Sequence, residues 1–361
     1  MMDKSNNEIG YVQSIFFIIQ TQIGVGILSM PFQVFMKAKE DAWISVLMAG
    51  AIVQCLLFIY SALCKKFPDQ NLYEICVSVL GRIPGAISGF VYIIFFILVA
   101  GNILAMFGGI INKWLLPQTP VWVIILLMML TGVYAVRSSI NVLAKFFVLS
   151  SFVFLIFTIL SSISFLDADF LNVFPIGHEG LKNIALGTKE ATFSMIGFEI
   201  FLVIYPHIAQ SKISNLTVAT SANLFVTLFY FLLTAATLLF FSESELKLIH
   251  EPLLYIIKSY SFTILDRIDI LFLSLWVIAV GTSYMSYLFA ASKGMAGLFK
   301  KKDHQSYVIP AGVITYCLSL MPDGEYDLAA TAQFISVTSI YLIVLLPVIL
   351  LIIALFVKRK E

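Results

Sequence analysis

The stretch that decides the fold runs from Tyr11 to Phe35 and reads YVQSIFFIIQTQIGVGILSMPFQVF. It is apolar and long enough to cross a bilayer, which takes about 20 helical residues. Its middle nevertheless holds Gln20, Thr21 and Gln22, followed by the glycines of Gly24–Gly26. Because hydrocarbon offers no water to backbone groups released by a break, a broken helix survives only where protein or a polar cavity covers it. The pattern predicts a broken, ligand-binding helix, with a kinked helix packed through small residues as the alternative.

A break of this kind suits a ligand that carries a carboxylate. Glycine lets the backbone approach a ligand closely. The helix that restarts after the break offers unpaired N–H groups and the positive end of its dipole. We therefore predict that the ligand contacts Gly24, Val25, Gly26 and Ile27.

Composition places the chain in the membrane. Its 361 residues are 60% hydrophobic and 12% charged, whereas soluble domains average about 45–50% apolar and about 25% charged residues. The net charge of +1 gives no excess of basic residues that would indicate nucleic-acid binding. The four cysteines and four histidines lack metal-ligand spacing, and no P-loop, GxSxG or HExxH motif occurs. We predict an all-α membrane protein that is not an enzyme and holds no metal or cofactor.

The apolar runs predict ten transmembrane helices in a single domain that covers residues 1–361. A polar, amphipathic connection follows the second span, and a longer surface segment lies at residues 242–267. The predicted spans are residues 11–35, 42–64, 85–111, 121–136, 142–165, 184–205, 217–241, 268–291, 306–321 and 333–357.

Orientation and internal symmetry follow from the same pattern. If the N-terminus is cytoplasmic, the cytoplasmic segments hold the larger share of the 22 Lys and Arg residues, chiefly through residues 300–302 and 358–360. Both termini are therefore predicted on the cytoplasmic side. Spans one to five and six to ten each begin with an interrupted helix. This is typical of a 5+5 inverted repeat, in which broken helices 1 and 6 meet near the midplane and form the site.

The sixth span contains the second interruption, ATFSMIGFEIF at residues 191–201. Glu199 is the only acidic or basic residue between Glu190 and His207. A carboxyl group at that depth costs a few kcal/mol unless it is neutral, paired or in a hydrated cavity. We predict a gating or proton-linked role for Glu199. The alternative is a neutral carboxyl group that holds the broken backbone together. The ligand contacts predicted from this span are Phe193, Ser194, Ile196 and Gly197.

Two further spans offer cavity walls. Leu98, Gly101 and Asn102 lie on the third span, and Thr282 lies on the eighth, where we predict that it contacts the ligand. Single polar residues in such helices are also common as hydrogen-bonding links between helices, which is the competing interpretation.

Four stretches together resemble the B subunit of spore germinant receptors, a spore germination permease family of the amino acid–polyamine–organocation superfamily. They are IQTQIGVGILSMP at residues 19–31, DAWIS at 41–45, NLYEI at 71–75 with the later Leu80-Gly81, and RIDILF at 267–272. The superfamily shows a glycine-rich break in its first span and a Gly-Phe-Glu-like break in its sixth. Gly24–Gly26 and Gly197–Glu199 match those positions.

The resemblance implies a nutrient sensor in the inner membrane of a bacterial endospore. Its partners would be a receptor A subunit, a lipoprotein C subunit and membrane lipid, and its ligand an amino acid or another small nutrient. Two alternatives stay open. One is a free-standing amino-acid permease driven by protons or sodium, which the same fold supports. The other is a channel for ions released by the trigger, although the spans show no ring of charges.

Overall fold

The structure is a computed structural model that describes residues 8–209, 212–260, 267–301 and 303–356. Within these ranges the chain is helical, and its only extended pairing is an isolated bridge between Ile9 and Ile208. The helices are α1 (Tyr11–Gln22), α2 (Gly26–Ala38), α3 (Ala42–Lys66), α4 (Leu72–Leu80), α5 (Arg82–Trp114), α6 (Val121–Val136), α7 (Ile140–Ser150), α8 (Phe152–Ser162), α9 (Gly180–Ser194), α10 (Ile200–Ile204), α11 (Asn215–Phe240), α12 (Glu243–Leu246), α13 (Pro252–Ser259), α14 (Ile268–Leu298), α15 (Gln305–Ser319), α16 (Glu325–Ser339) and α17 (Leu346–Phe356).

Both predicted interruptions are present as breaks between helices. The first separates α1 from α2 at residues 23–25, and the second separates α9 from α10 at residues 195–199. The last long helix is also irregular, because the π-helical turn Ile340–Leu345 joins α16 to α17.

Six helical stretches of the described ranges are long and apolar enough to cross a membrane. They are Gly26–Lys66, Arg82–Trp114, Ile140–Asp167, Asn215–Phe240, Ile268–Leu298 and Glu325–Phe356. The apolar helix Val121–Val136 is shorter. These stretches make the chain an integral membrane protein. The count of ten spans and the inverted repeat stay predictions.

The connection after α3 is built around a capped helix. Asn71 Oδ1 accepts hydrogen bonds from the backbone N–H groups of Tyr73 (3.0 Å) and Glu74 (3.2 Å), and Glu74 Oε2 accepts from Asn71 N at 2.9 Å. This reciprocal capping box fixes the start of α4. One of the stretches that carries the family resemblance, NLYEI, is therefore a helix start.

Two helices extend beyond the apolar runs that predicted them. α14 continues past Ala291 to Leu298, and within this extension Gly294 packs closely on Tyr73 and Ile93. α16 begins at Glu325, after Gly324 with φ of +92°, and acidic residues in its first turn face the positive end of the helix dipole. Polar residues hid both extensions from hydropathy alone.

Some predicted features fall outside the described residues. Lys302 and residues 358–360, which contribute to the predicted orientation, are among them, as are Val357 and residues 261–266 of the surface segment. The described part of that segment holds α12 and α13, and α13 buries Leu253, Leu254 and Ile256 against the bundle.

Candidate functional site

The two breaks touch each other at a glycine. Gly197 has φ of +131°, and a Cβ added there would lie 2.7 Å from both the backbone N of Gln22 and the carbonyl carbon of Thr21. Gln22 Nε2 also donates to the carbonyl oxygen of Met195 at 3.0 Å. Only glycine has both the backbone freedom and the absence of a side chain that this crossing requires.

The four half-helices pair on either side of this crossing. On one side, Ile9 N donates to His207 O (2.8 Å) and Ala209 N donates to Ile9 O (2.9 Å), which ties the start of α1 to the end of α10. On the other side, Lys39 Nζ lies 3.0 Å from Glu179 Oε1, which ties the end of α2 to the start of α9. The bond to Lys39 holds the pKa of the Glu179 carboxyl below its usual range.

At the first break, three adjacent backbone donors are unbonded within the described ranges and two carbonyl oxygens are occupied by side chains. The carbonyl oxygen of Thr21 accepts from Ser283 Oγ (3.0 Å), and that of Gln22 accepts from Tyr230 OH (3.2 Å). In the described part of the chain, the backbone N–H groups of Gly24–Gly26 make no hydrogen bond. The break therefore presents three adjacent backbone donors beside two occupied carbonyl oxygens, and adjacent backbone N–H groups at a helix start suit an anionic group.

The second break is closed by its own carboxyl group. Gly197 N donates to Glu199 Oε2 at 2.8 Å, and Tyr287 OH donates to Glu199 Oε1 at 3.1 Å. Glu199 is only 1% exposed. Both of its oxygens have a partner, as a buried carboxyl group requires. Its proton-linked role stays a prediction, while its contacts are those of a group that holds the broken backbone together.

A cavity of about 110 Å³ opens at the first break, and we call it the central cavity. The two broken helices supply one side of it and α5, α14 and α16 the other. Six of the predicted ligand contacts line it together: Gly24, Val25, Gly26, Phe193, Ser194 and Ile196.

Other predicted contacts lie behind that lining. Ile27 is fully buried in the core, and Gly197 lies at the crossing of the breaks. Thr282 Oγ1 donates to Gln20 Oε1 at 2.6 Å, and Gln20 Nε2 donates to the carbonyl oxygen of Phe147 at 3.1 Å. The structure thus places Thr282 in a polar link between α14, α1 and α7, outside the central cavity.

The predicted walls on α5 divide between two cavities. Asn102 lines the central cavity, and Leu98, Gly101 and Asn102 line a larger one of about 440 Å³, which we call the peripheral cavity. The peripheral cavity lies between α5, α15 and α16, and its other lining residues are Ala105, Leu318, Met321, Pro322, Asp327, Ala330 and Thr331. Asn102 borders both cavities.

Sequence reasoning did not assign several residues of the central cavity. They are Thr21, Gln22, Ser29, Gln33, Val99, Ile103, Met106, Ser283, Tyr287, Ala332 and Ile335. Helical spacing could have found two pairs, because Ser29–Gln33 and Ser283–Tyr287 are each four residues apart and share a helix face. Ala332 and Ile335 carry no such signal, since their packing position alone brings them to the cavity.

Comparison with known proteins identifies the family. The profile of the family described as "Spore germination protein" matches residues 8–327. Spore germination protein GerQB of Bacillus cereus is 29% identical over 341 residues, which cover 93% of each chain. Spore germination protein YndE of Bacillus subtilis (strain 168) is 24% identical over 364 residues, which cover 100% of each.

The fold is shared with a solved transporter. A structure described as the substrate-bound, outward-open state of a Na⁺-coupled sialic acid symporter superposes with a TM-score of 0.73 at 15% identity. The match covers 99% of this chain and 81% of that one. At this identity the likeness concerns the fold alone.

The helical bundle and the paired breaks define an integral membrane protein with a transporter-like fold. The chain belongs to the spore germination protein family, which confirms the resemblance drawn from its motifs. Membership of this family supports a role like that of a germinant receptor or permease.

Proposed function

We propose that this chain is the nutrient-sensing subunit of a spore germinant receptor and binds a small amino acid in the central cavity. The observation that carries the proposal is the unbonded row of backbone N–H groups at Gly24–Gly26, which opens on that cavity. The ligand carboxylate accepts hydrogen bonds from these groups at the start of α2, where the helix dipole also favours negative charge.

The other end of the ligand meets acceptors. Gln22 lines the central cavity, is 2% exposed, and its Oε1 has no hydrogen-bond partner in the described residues. A ligand ammonium group satisfies this oxygen, together with the carbonyl groups between Phe193 and Ile196. A buried acceptor without a partner is costly, so its pairing contributes to ligand affinity.

Cavity size limits the ligand side chain. A dry cavity of about 150 Å³ holds benzene, and the central cavity measures about 110 Å³. The lining around Val99, Ile103 and Ile335 is apolar. These features favour a small amino acid with an apolar side chain, such as alanine, valine or leucine, with the longer ones requiring an opening of the cavity.

The proposed setting follows from the family. The chain would form ten spans as a 5+5 inverted repeat, lie in the inner membrane of the spore with both termini cytoplasmic, and associate with receptor A and C subunits. Ligand binding would shift the population from an outward-open to a closed state, because the closed state adds contacts to the ligand. The α2–α9 pair, joined through Lys39 and Glu179, is the element that would move against the rest.

Spores that lack only this gene provide the first test. We expect them to lose the response to one nutrient, and spores with Gly26→Trp to do the same at normal protein abundance. An added Cβ at Gly26 already lies 3.1 Å from Tyr230 OH and 3.3 Å from the Ser194 carbonyl oxygen, and Gly26 lines the central cavity, so an indole there competes with the ligand for space. Gly109→Trp is the matched control, since nothing lies within 4 Å of a Cβ there. A normal response of Gly26→Trp spores would exclude this site.

A free-standing coupled permease is the second candidate, favoured by the shared fold with a Na⁺-coupled symporter. It predicts uptake of labelled amino acid in cells that express this chain without receptor A and C subunits. Uptake that depends on a proton or sodium gradient in such cells would support the permease. Nutrient-gated conductance of the chain in a lipid bilayer would instead support the channel.

A further inference from the structure

The peripheral cavity has the dimensions of a small-molecule site in its own right. It measures about 440 Å³, within the range of about 300–1,000 Å³ that ligand sites occupy. The central cavity, at about 110 Å³, is smaller than that range. The nutrient proposal leaves the peripheral cavity without a role.

Two helices separate the cavities. On α5, Leu98, Gly101 and Ala105 border the peripheral cavity, and Val99, Ile103 and Met106 border the central one. These are adjacent stripes of one helix, each repeating at three- and four-residue spacing. On α16, Ala330 and Thr331 face the peripheral cavity while Ala332 and Ile335 face the central one. The peripheral cavity is therefore a distinct compartment, which meets the central one at Asn102.

The polar lining of the peripheral cavity offers oxygen acceptors, while the one amide donor, Asn102 Nδ2, contacts Met106 Sδ at 3.5 Å. Asn102 Oδ1 is buried without a hydrogen-bond partner in the described residues. The Asp327 carboxylate accepts one hydrogen bond, from Asp323 N to Oδ2 at 3.1 Å, and takes part in no ion pair among these residues. The Thr331 hydroxyl is already used, since it donates to the Asp327 carbonyl oxygen at 2.9 Å. No Lys, Arg or His lines the cavity.

We propose that the peripheral cavity is a second binding site, which takes a small organic amine with an apolar body. The ammonium group pairs with the Asp327 carboxylate, and an N–H or other donor of the ligand reaches Asn102 Oδ1. The apolar body packs on Leu98, Leu318 and Met321. An anion is disfavoured there, because the Asp327 carboxylate repels it and no Lys, Arg or His of the lining offsets that charge. This site does not depend on the nutrient site, and its chemistry is the opposite of the donor row at Gly24–Gly26.

Three probes of one shape test the charge preference. The full chain, purified in lipid nanodiscs, is titrated with isoamylamine, isoamyl alcohol or isovalerate, and the thermal midpoint and heat of binding are recorded. We expect isoamylamine to raise the midpoint in a saturable way, because a ligand that binds only the folded state stabilises it. Isovalerate is expected to have no effect. Equal binding of the alcohol and the amine would overturn the assignment of an amine.

Substitutions at three alanines of α16 distinguish the two cavities experimentally. Ala330→Phe fills the peripheral cavity and is expected to abolish amine binding, whereas Ala332→Phe fills the central cavity and leaves amine binding intact. Ala329→Phe is the control, because Ala329 lines neither cavity. Asp327→Asn keeps the shape and removes the charge, and about a tenfold loss of amine affinity is expected. That is about 1.4 kcal/mol.

Several results would refute the site. Retained amine binding in Ala330→Phe, or equal loss in all three alanine variants, would overturn it. So would displacement of the probe by phospholipid acyl chains alone, which would make the cavity a lipid groove. Failure of nutrient binding with intact amine binding would refute the nutrient proposal and leave this one standing.

Discussion

The two breaks of this molecule treat their released backbone groups in opposite ways. At the first break, Ser283 and Tyr230 donate to the carbonyl oxygens of Thr21 and Gln22, while the N–H groups of Gly24–Gly26 make no hydrogen bond within the described residues and lie beside a cavity. At the second, the Glu199 carboxyl turns back on Gly197 N and is held by Tyr287. One break leaves backbone donors unbonded beside a cavity, and the other is closed by the chain itself.

This difference divides the work between the breaks. A row of free donors gives affinity for an anionic group. A buried, fully paired carboxyl group holds the broken backbone rigid. If that group titrates, the conformation of the break depends on its protonation. The hydrogen bond from Gln22 Nε2 to the Met195 carbonyl oxygen joins the two breaks directly, and under the proposed function it would connect ligand binding at the first break to the second.

The largest effect is expected where the breaks cross. Gly197→Ala forces an L-residue into φ of +131° and places its Cβ 2.7 Å from the backbone of the Thr21–Gln22 peptide. We expect a loss of about 3 kcal/mol or more of stability, measured as the thermal midpoint and as abundance in the membrane. Gly324→Ala is the control, since φ there is +92° with nothing within 4 Å. Its cost should be about 1–2 kcal/mol, and equal losses would mean that the crossing is not tight.

The closed break is tested at Glu199. Glu199→Ala leaves the buried Gly197 N–H and the Tyr287 hydroxyl without their partner, at a cost of about 1–3 kcal/mol. Glu199→Gln keeps an acceptor for Gly197 N, so its midpoint should stay near that of the wild type. A Gln variant that is stable yet unresponsive to nutrient would assign the proton-linked role. A Gln variant that germinates normally would leave only the backbone-holding role.

The open break is tested through the close approach of Gly24 to α14. A Cβ added at Gly24 lies 2.8 Å from Ser283 Cβ, so Gly24→Ala should displace the N–H row. We expect about a tenfold rise in the nutrient concentration for half-maximal response, which corresponds to about 1.4 kcal/mol. Adding Ser283→Gly makes room for the new methyl group. The effects of the two substitutions on nutrient affinity should therefore be non-additive, and the double variant should regain part of the affinity. Strictly additive effects would contradict the proposed contact between Gly24 and Ser283.

The smallest effect is expected at the exposed tie between α2 and α9. The Lys39 bond lowers the pKa of Glu179, so the stability that it contributes is present above the usual carboxyl pKa and is lost as pH falls below about 4.3. Wild type and Lys39→Met should thus differ slightly in thermal midpoint at neutral pH and converge in acid. High salt should also reduce the difference. A difference that grows in acid would show that another group controls this end.

Much of this arrangement was readable in the sequence. Glycines, amides and a lone carboxyl group inside apolar runs predicted both breaks, because a membrane tolerates such residues only where protein covers them. The same residues carried the family resemblance, which the comparison confirmed. The polar first turn of α16 was not predicted, because hydropathy indicates which residues contact lipid and does not indicate where a helix begins.

The choice between neighbours on one helix was not readable. Thr282 and Ser283 differ by one residue, yet the first links to Gln20 and the second lines the central cavity. One residue turns a helix face by about 100°, and only packing decides which face meets the cavity. The two compartments on either side of α5 and α16 are hidden from the sequence for the same reason.

By itself, then, the sequence determined that this protein is helical, lies in the membrane and breaks its helices at Gly24–Gly26 and at Gly197–Glu199. Those features depend on local chemistry, namely hydrophobic length, glycine and the cost of buried polar groups. Only the tertiary structure decided that one break stays open and the other is closed by Glu199 and Tyr287. That outcome depends on which side chains from distant helices reach the released backbone groups, and such contacts exist only once the helices have packed.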